Sequence, residues 1–307
     1  MAVQDVPAAE IDVTDDLVGR LLAEQHPDLA HGALTRVANG WDNVIFRLDG
    51  AADAPLTVRV PRRQLGADLV VNEHRWLPDL AGHLPIPIPA PVRFGEPGAG
   101  YPWKWSVCPW FDGDVAADAP PHDLALEARR LGAFLAALHV PAPPDAPHNA
   151  YRCGPATEPR PRFESALERL DARVDAQQVR VRWLELVDVA EWTGPPVWLH
   201  GDLHTANVIV SEGSISAIID LGDLTAGDPA VDLAIGWMLF DDEHRAVFRV
   251  AAGGVDDATW SRAQAWALHF GLMYLLHSAD SPRFERMGTE LLQRILPGCV
   301  RHPARRF

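Results

Sequence analysis

The sequence contains very little lysine and cysteine. Its only lysine is Lys104, so nearly all of its 27 Lys and Arg residues are arginines. The three cysteines, Cys108, Cys153 and Cys299, are too few and too scattered for a disulfide framework or a zinc site. We therefore expect a reduced, cytoplasmic protein.

Long apolar runs and an excess of positive charge are also missing. No apolar run reaches the roughly 20 residues that a membrane-spanning helix needs. The acidic N-terminus, MAVQDVPAAEIDVTDD, lacks the basic-then-apolar pattern of a secretory signal. A net charge of −15 argues against nucleic acid or an anionic membrane as a partner. These absences, with 48% hydrophobic and 22% charged residues, favour an ordinary globular protein.

One stretch has no Lys or Arg at all. Residues 185–243 contain 12 Asp and Glu residues, interleaved with apolar runs that should be buried. A solvated acidic face is the ordinary meaning of such a stretch. Buried carboxylates, however, need cations or hydrogen bonds. We expect the missing positive charge to come from a bound metal ion, from the other lobe or from a cationic substrate.

Hydrophobic periodicity predicts an α+β, bilobal chain, with a small β-rich lobe over residues 1–110 and a larger helical lobe over 111–307. In the first lobe we expect a strand, turn and strand over 33–49, a strand at 56–62 ended by Pro61, a helix interrupted by Pro78, and a buried strand at 105–109. In the second we expect helices within 122–139, 163–192, 229–250 and 259–296, a proline-rich loop over 140–162, and a β-hairpin at 208–210 and 215–219.

The hairpin lies between chemically informative residues. Asn207 immediately precedes its first strand and Asp220 follows its second. Antiparallel pairing should bring these ends to about 5 Å from each other. An amide oxygen and a carboxylate suit Mg²⁺, which prefers few protein ligands plus phosphate oxygens and water. Asp202, on the preceding loop, could orient a hydroxyl and accept its proton. This order of residues is the layout of a kinase phosphoryl-transfer site.

A metal-dependent hydrolase is the alternative from another class. His200, Asp202, His204, Asp220 and Asp228 could together be metal ligands. The β-rich lobe would then have no role, which favours the kinase interpretation.

Three motifs carry a resemblance to a known family. LHGDLHTAN (199–207), IDLG (219–222) and GDPAVDLA (227–234) are similar to the signature of the aminoglycoside phosphotransferase family, a branch of the protein-kinase-like superfamily. The resemblance covers about residues 33–280. It implies a kinase-like fold, an alcohol group as acceptor and ATP or GTP as donor. It also implies that His200 orients the loop and that Asp228 and Asp232 are structural.

The first lobe should hold the nucleotide. Kinases place a Lys on the third strand, paired to a helix Glu. Here those positions hold Arg59 and Glu73, and Arg is a fork-shaped donor, not a compact point charge. The stretch RVPRR (59–63) looks like one in macrolide kinases, and we expect its Arg62 and Arg63 to lie on the surface. Binding residues expected in the loop over the phosphates are Asn39, Gly40 and Asn43, through a tight turn and backbone N–H groups.

The resemblance also indicates where the base and the acceptor bind. It places the base against Pro109 and Phe111, which would offer a carbonyl and an N–H. The acceptor should lie near Asp202, and the candidate wall residues are Asp223, Trp237, Asp241, His269 and Tyr274. Each has an alternative interpretation: Trp237 could be a core residue, and Asp241 could lie in a solvated loop.

Three functions remain open. The leading one is transfer of the γ-phosphate to a hydroxyl of an antibiotic-like, cationic substrate, either an aminoglycoside or a macrolide. A metabolic kinase acting on a small amino alcohol or sugar is the second. A non-catalytic nucleotide-binding protein is the third, suggested by Arg59 in place of Lys. The sequence leaves open whether the protein is a monomer or a homodimer.

Overall fold

The computed structural model describes residues 8–301 and divides them into two compact units. The unit that we call the β unit comprises the described chain up to Asp112 and the short segment Ala217–Gly222. The helical unit comprises Gly113–Ser216 and the described chain from Asp223 onward. No helix in this part of the chain is long and apolar enough to cross a membrane.

The β unit is built on a five-stranded antiparallel sheet with the strand order β1-β2-β3-β5-β4. Strand β2 alternates between buried and half-buried residues, so one of its faces packs into the core. The predicted strands at 33–49, 56–62 and 105–109 are confirmed. The elements are α1 (Asp15–Gln25), β1 (Ala33–Asn39), β2 (Asn43–Asp49), β3 (Leu56–Pro61), α2 (Gln64–Ala81), β4 (Arg93–Gly95) and β5 (Trp105–Pro109).

Helix α1 was not expected from the sequence. The hydroxyl of Thr14 caps it by accepting a hydrogen bond from the Leu17 N–H at 3.2 Å. Its buried leucines and valine belong to the same core as strands β2 and β3. A cap residue followed by two aspartates is a helix-start signal that could have been recognised.

Helix α2 corrects a second expectation, because it runs through Pro78 to Ala81 without interruption. Proline removes one backbone hydrogen bond and crowds the preceding turn. Pro78 lies in the last turn, so only the end of the helix is affected. Leu77 beside it remains fully buried, and this packing stabilises the helix end.

The helical unit contains a three-stranded sheet, β6-β8-β9, and a two-stranded one, β7-β10. The predicted hairpin is confirmed as β8 and β9, and the predicted helical stretches also hold helices. The elements are β6 (Asp114–Val115), α3 (Leu124–Leu138), α4 (Arg160–Arg169), α5 (Ala176–Val187), β7 (Val197–Leu199), β8 (Val208–Ser211), β9 (Ser214–Ile218), β10 (Thr225–Gly227), α6 (Ala230–Leu233), α7 (Ile235–Leu239), α8 (Asp242–Ala251), α9 (Asp257–Leu276) and α10 (Pro282–Ile295).

Close helix packing organises the helical unit. Helix α9 is buried along most of its length and packs against α4, α5, α6 and α10. Helices α3 and α8 approach closely at Gly132, where an added Cβ would lie 2.5 Å from the Cβ of Ala251 and 2.8 Å from the Phe248 carbonyl oxygen. The contact therefore requires a residue without a side chain.

We predict that Gly132→Ala lowers the free energy of unfolding by about 1–3 kcal/mol, because the new methyl group meets backbone atoms that cannot move aside. Gly19→Ala in α1 is the control, since nothing lies within 4 Å of its added Cβ. That change should raise stability by roughly 0.5–1 kcal/mol through helix propensity. Urea unfolding of both variants measures the difference, and equal effects would contradict the packing argument.

Candidate active site

The loop between β7 and β8 has a tightly fixed backbone. The carboxylate of Asp232, which is fully buried, accepts hydrogen bonds from the N–H groups of His200 at 2.8 Å and Gly201 at 2.9 Å. Gly201 adopts a φ of 83°, and an added Cβ there would lie 2.4 Å from the Asp223 carbonyl oxygen. The loop can therefore follow this path only with glycine at position 201.

The loop presents the carboxylate of Asp202. Its Oδ1 accepts a hydrogen bond from Nη2 of Arg152 at 2.9 Å, and its Oδ2 lies 3.6 Å from Nε2 of His204. The backbone N–H of Asp202 donates to Nδ1 of His200 at 3.3 Å. Burial would raise the pKa of Asp202, but Arg152 and His204 more than offset it and hold the pKa well below its usual range. The carboxylate is therefore ionised at neutral pH.

Two acids of the stretch without Lys or Arg pair with arginines of the helical unit, a source of positive charge that we did not expect. Arg152, from the proline-rich connection, pairs with Asp202 and lies 3.9 Å from Asp223. Arg262, from α9, pairs with the buried Asp228 at 2.7 Å. Each cation lies outside residues 185–243 and comes from the helical unit itself.

Asp228 and Asp232, which the family resemblance implied to be structural, hold different parts of the backbone. Asp228 accepts a hydrogen bond from the Ala230 N–H at 3.0 Å at the start of α6. Asp232 instead stabilises the loop that carries Asp202, with His139 Nε2 3.1 Å from its Oδ2.

Asn207 and Asp220 differ in their surroundings and belong to different units. The Nδ2 of the buried Asn207 donates to the Asp202 carbonyl oxygen at 3.0 Å, so its Oδ1 is the atom left for a ligand. Asp220, in the β unit, has a φ of 62°, the left-handed region that Asp adopts more readily than most residues. An amide oxygen and a carboxylate are the hard oxygen donors that Mg²⁺ prefers, so this donor set fits the ion.

The hydrolase alternative finds no support in the geometry. Across residues 8–301, no three His, Cys, Asp or Glu side chains come together in a cluster that could hold a metal ion. His204 instead contacts Asp202 and accepts a hydrogen bond from the Ala206 N–H at 3.2 Å.

In the β unit, Arg59 and Glu73 form a buried ion pair. Nη1 of Arg59 donates to both carboxylate oxygens of Glu73, at 2.9 and 3.0 Å. Burial would lower the pKa of Arg59, but the carboxylates of Glu73 and Asp220 more than offset it and raise the pKa above its ordinary value. The guanidinium is therefore a permanent cation in the interior of this unit.

The turn between β1 and β2 is held by arginines, which corrects the expected surface role of Arg62 and Arg63. Arg62, only 7% exposed, donates from Nη1 to Oδ1 of Asn39 at 3.0 Å. Arg63 pairs with Asp42 at 3.1 Å. Burial, together with Asp220, raises the pKa of Asp42 although Arg63 opposes it.

The same turn uses one of the groups expected to face phosphate. The Gly40 N–H donates to the carbonyl oxygen of Asn43 at 2.9 Å, so it closes the turn. The Oδ1 of Asn43 is buried without a hydrogen-bond partner in the part of the chain that the structure describes. It remains an acceptor for a ligand.

The expected base-binding residues lie at the end of β5. The Pro109 carbonyl oxygen accepts a hydrogen bond from the Thr57 hydroxyl at 3.3 Å. The next N–H, that of Trp110, donates to the Pro55 carbonyl oxygen at 3.2 Å. Phe111 follows and is half-buried.

Three of the expected acceptor-wall residues lie near the Asp202–Arg152 pair. Asp223 contacts Arg152, and the Tyr274 ring packs edge-on against His204 at 5.7 Å. Burial, and next the positive charges of Arg152 and Arg162, lower the pKa of His269 to about 3.

The other two expected wall residues have structural contacts, and their role toward an acceptor stays a prediction. Trp237 is buried against Trp260, with ring centroids 4.5 Å apart. Asp241 caps α8 by accepting a hydrogen bond from the His244 N–H at 3.0 Å.

A cavity of about 260 Å³ lies beside Tyr274 in the helical unit. Its lining mixes apolar side chains with the charged side chains of Arg286, Glu290 and Arg294. The residues that line it include Thr205, Met238, Leu239, Tyr274, Arg286 and Met287. It is large enough for a single ring or a short chain.

The model of the phosphotransferase enzyme family matches residues 33–266. The chain belongs to this family.

Solved structures support the fold at low sequence identity. A GDP complex of wild-type aminoglycoside 2′-phosphotransferase-IIIa superposes with a TM-score of 0.64 at 19% identity, covering 92% of this chain and 98% of that one. The macrolide 2′-phosphotransferase MphH from Brachybacterium faecium gives 0.61 at 22% identity, covering 90% and 97%. These similarities establish a kinase-like fold for the phosphotransferase.

Arg152 is the main residue that sequence reasoning missed. It lies in a stretch classified only as a proline-rich loop, fifty residues before Asp202. No local pattern indicates that this loop returns to the carboxylate of Asp202, so only the folded chain reveals the contact.

We predict that Arg59→Met destabilises the phosphotransferase by about 3–5 kcal/mol, because Glu73 would be left buried without its cation. Arg63→Met, whose partner Asp42 is less buried, is the control and should cost about 1 kcal/mol. Chemical unfolding measures both variants. Equal losses would mean that burial of the Arg59–Glu73 pair does not matter.

We predict that His269 makes the protein less stable at acid pH. Its folded-state pKa of about 3 lies below the ordinary value of 6.5, so only the unfolded state gains a proton as the pH falls below about 6.5. The contribution of His269 to the free energy of unfolding, fully present above pH 6.5, should therefore fall by about 2 kcal/mol at pH 5. His269→Phe should remove this part of the decline, whereas the exposed control His83→Phe should not. Unfolding curves at pH 7 and 5 provide the measurement.

Proposed function

We propose that this phosphotransferase moves the γ-phosphoryl group of ATP or GTP directly to a hydroxyl of a small, antibiotic-like acceptor. The observation that carries the proposal is the loop holding Asp202 and Asn207. The amide of Asn207 is hydrogen-bonded to the Asp202 carbonyl, and the β8–β9 hairpin connects this loop to Asp220. A base, an amide oxygen and a second carboxylate in this order are the components that kinase chemistry requires.

We assign nucleotide binding to the β unit and acceptor binding to the helical unit. The boundary between the units, after Asp112, lies close to the expected one at residue 110. Arg59, held by Glu73, would neutralise the phosphates. The β1–β2 turn and the chain from Pro109 to Phe111 would contact the phosphates and the base. Permanent charge on Arg59 gives it the electrostatic role of the usual Lys, and its buried partner fixes its direction.

Asn207 and Asp220 would hold Mg²⁺. When bound, the ion would supply positive charge to the phosphate oxygens.

Asp202 is assigned to the acceptor hydroxyl. Its ionised carboxylate would align the hydroxyl oxygen with the γ-phosphorus and accept the proton as the new oxygen–phosphorus bond forms. The bond from the γ-phosphorus to the bridging oxygen breaks, and the nucleoside diphosphate leaves with that oxygen. Phosphoryl transfer with a loose transition state depends on positioning more than on a strong base. The low pKa of Asp202 suits that role.

Two features of the site support an acceptor with an apolar ring and few positive charges. Arg152 already occupies one oxygen of Asp202, and its guanidinium stacks 5.1 Å from the Phe270 ring. The Tyr274 ring lies nearby. A polycation would meet Arg152 and Arg162 at close range, so a macrolide fits these surroundings better than an aminoglycoside.

A metabolic kinase is the second candidate function. The cavity beside Tyr274, of about 260 Å³, is of the size that suits a sugar or a short amino alcohol and not a whole antibiotic.

The test is nucleoside-diphosphate release from ATP and from GTP with macrolides, aminoglycosides, tuberactinomycin-type peptides, amino alcohols and sugars. We predict turnover with one class that falls by roughly 10²–10⁴ in Asp202→Ala, the usual contribution of general acid–base catalysis, with nucleotide affinity retained. Asp220→Ala should instead abolish Mg²⁺-dependent nucleotide binding.

Asp79→Ala is the matched control, since Asp79 is exposed on α2. It should leave turnover and nucleotide binding unchanged. Equal loss of nucleotide affinity in the Asp202 and Asp220 variants would contradict their assigned roles. The absence of Mg²⁺-dependent nucleotide binding in the wild-type protein would exclude a kinase.

A further inference from the structure

Arg152 contacts the catalytic carboxylate, yet the assigned roles of Asp202, Asn207 and Asp220 do not require it. Its side chain is 22% exposed and its Nη2 donates to Oδ1 of Asp202 at 2.9 Å. Its Nε lies 3.9 Å from Oδ2 of Asp223, and its guanidinium stacks over the Phe270 ring. Three groups therefore surround this one cation.

The loop that carries Arg152 is itself anchored. The Asn149 N–H donates to the Thr225 hydroxyl at 2.9 Å, and that hydroxyl donates to the Pro147 carbonyl oxygen at 3.0 Å. The Nδ2 of Asn149 donates to Oδ1 of Asp223 at 2.8 Å. Strand β10 thus holds the loop, and Asp223 is shared between the loop and the arginine. This is the outer support that a preorganised site needs.

The two oxygens of Asp202 are in different situations. Oδ1 is occupied by a charge-assisted hydrogen bond of normal length. Oδ2 lies 3.6 Å from Nε2 of His204, which is longer than a normal hydrogen bond. A carboxylate otherwise turns easily about its last side-chain bond, because that torsion has a broad distribution. Occupation of one oxygen fixes the direction of the other.

We propose that Arg152 is a positioning residue that holds Oδ1 of Asp202, so that Oδ2 alone receives the acceptor hydroxyl. The proposal rests on the function assigned to Asp202 above. Arg152 acts through Asp202 and needs no contact with the acceptor.

The first test compares Arg152→Met, Arg152→Lys and the control Arg160→Met, an exposed arginine at the start of α4. With the acceptor identified above, Arg152→Met should lower kcat by about 100-fold, the cost of a misplacement near 1 Å, and leave nucleotide affinity and acceptor KM within about twofold. Arg152→Lys should recover part of kcat, because it keeps the charge but not the fork. Arg160→Met should behave as wild type.

A double variant separates positioning from a merely structural role. In an Asp202→Ala background there is no carboxylate to orient, so adding Arg152→Met should change kcat by less than about twofold. If Arg152→Met lowered kcat by the same factor in the wild-type and Asp202→Ala backgrounds, the proposal would be overturned. A rise in turnover or in nucleotide hydrolysis by water in Arg152→Met would also overturn it, by showing that the arginine blocks the base.

A structural readout needs no acceptor. In a crystal structure of Arg152→Met the Asp202 carboxylate should rotate away from its wild-type direction or occupy two directions. An unchanged carboxylate would overturn the proposal. Absence of turnover in the wild-type protein would instead be a failure of the proposed function, so the two failures are distinguishable.

Discussion

The buried carboxylate of Asp232 stabilises the loop on which the site depends. It accepts hydrogen bonds from two successive backbone N–H groups, those of His200 and Gly201. Because the carboxylate and both N–H groups are buried, loss of these hydrogen bonds would be expensive. Asp202 and Asn207 follow directly along the chain, so their directions depend on this anchor. The left-handed turn at Gly201 allows the loop to approach Asp223 closely enough for the anchor to form.

Two acids of the helical unit are paired with nearby arginines. The acidic stretch has no Lys or Arg, but Arg152 and Arg262 reach it from both sides along the chain. Unpaired, these carboxylates would have to gain protons or be exposed to water. The arginines place a positive charge beside each of the two acids, and for Asp202 this holds the pKa below its usual range. A site whose acids already have cations makes a weaker demand for a polycationic substrate.

The β unit relies on arginine where kinases usually have lysine. Arg59 binds both oxygens of Glu73 from one nitrogen, and Arg62 and Arg63 hold the β1–β2 turn. The guanidinium group remains charged when buried and offers several donors in a plane, so it suits both roles. Because the chain has only one lysine, arginine fills both the position expected to face phosphate and the positions that hold the turn.

Much of the fold followed from the sequence, because its signals are local. Alternating residues predicted the strands of the β unit, and turn residues between two apolar runs predicted the β8–β9 hairpin. The spacing of Asp202, Asn207 and Asp220 around that hairpin, together with the three motifs, indicated the family. Arg59 and Glu73 could be paired because a strand and the following helix have a regular separation. The prediction did not include helix α1, although Thr14 and the two aspartates after it are a helix-start signal. The predicted interruption at Pro78 was wrong, because a proline in the last turn affects only the end of the helix.

Other features depend on contacts between distant parts of the chain. Nothing near Arg152 indicates that it meets Asp202, since the intervening loop has no periodicity and its path is set by hydrogen bonds to β10. The roles of Asp232, Arg62 and Trp237 also depend on which segments pack beside them. Sequence by itself determined the types and order of the chemical groups, because these follow from local pattern and spacing. Only the tertiary structure decided which cation neutralises which acid, because that pairing is made through space.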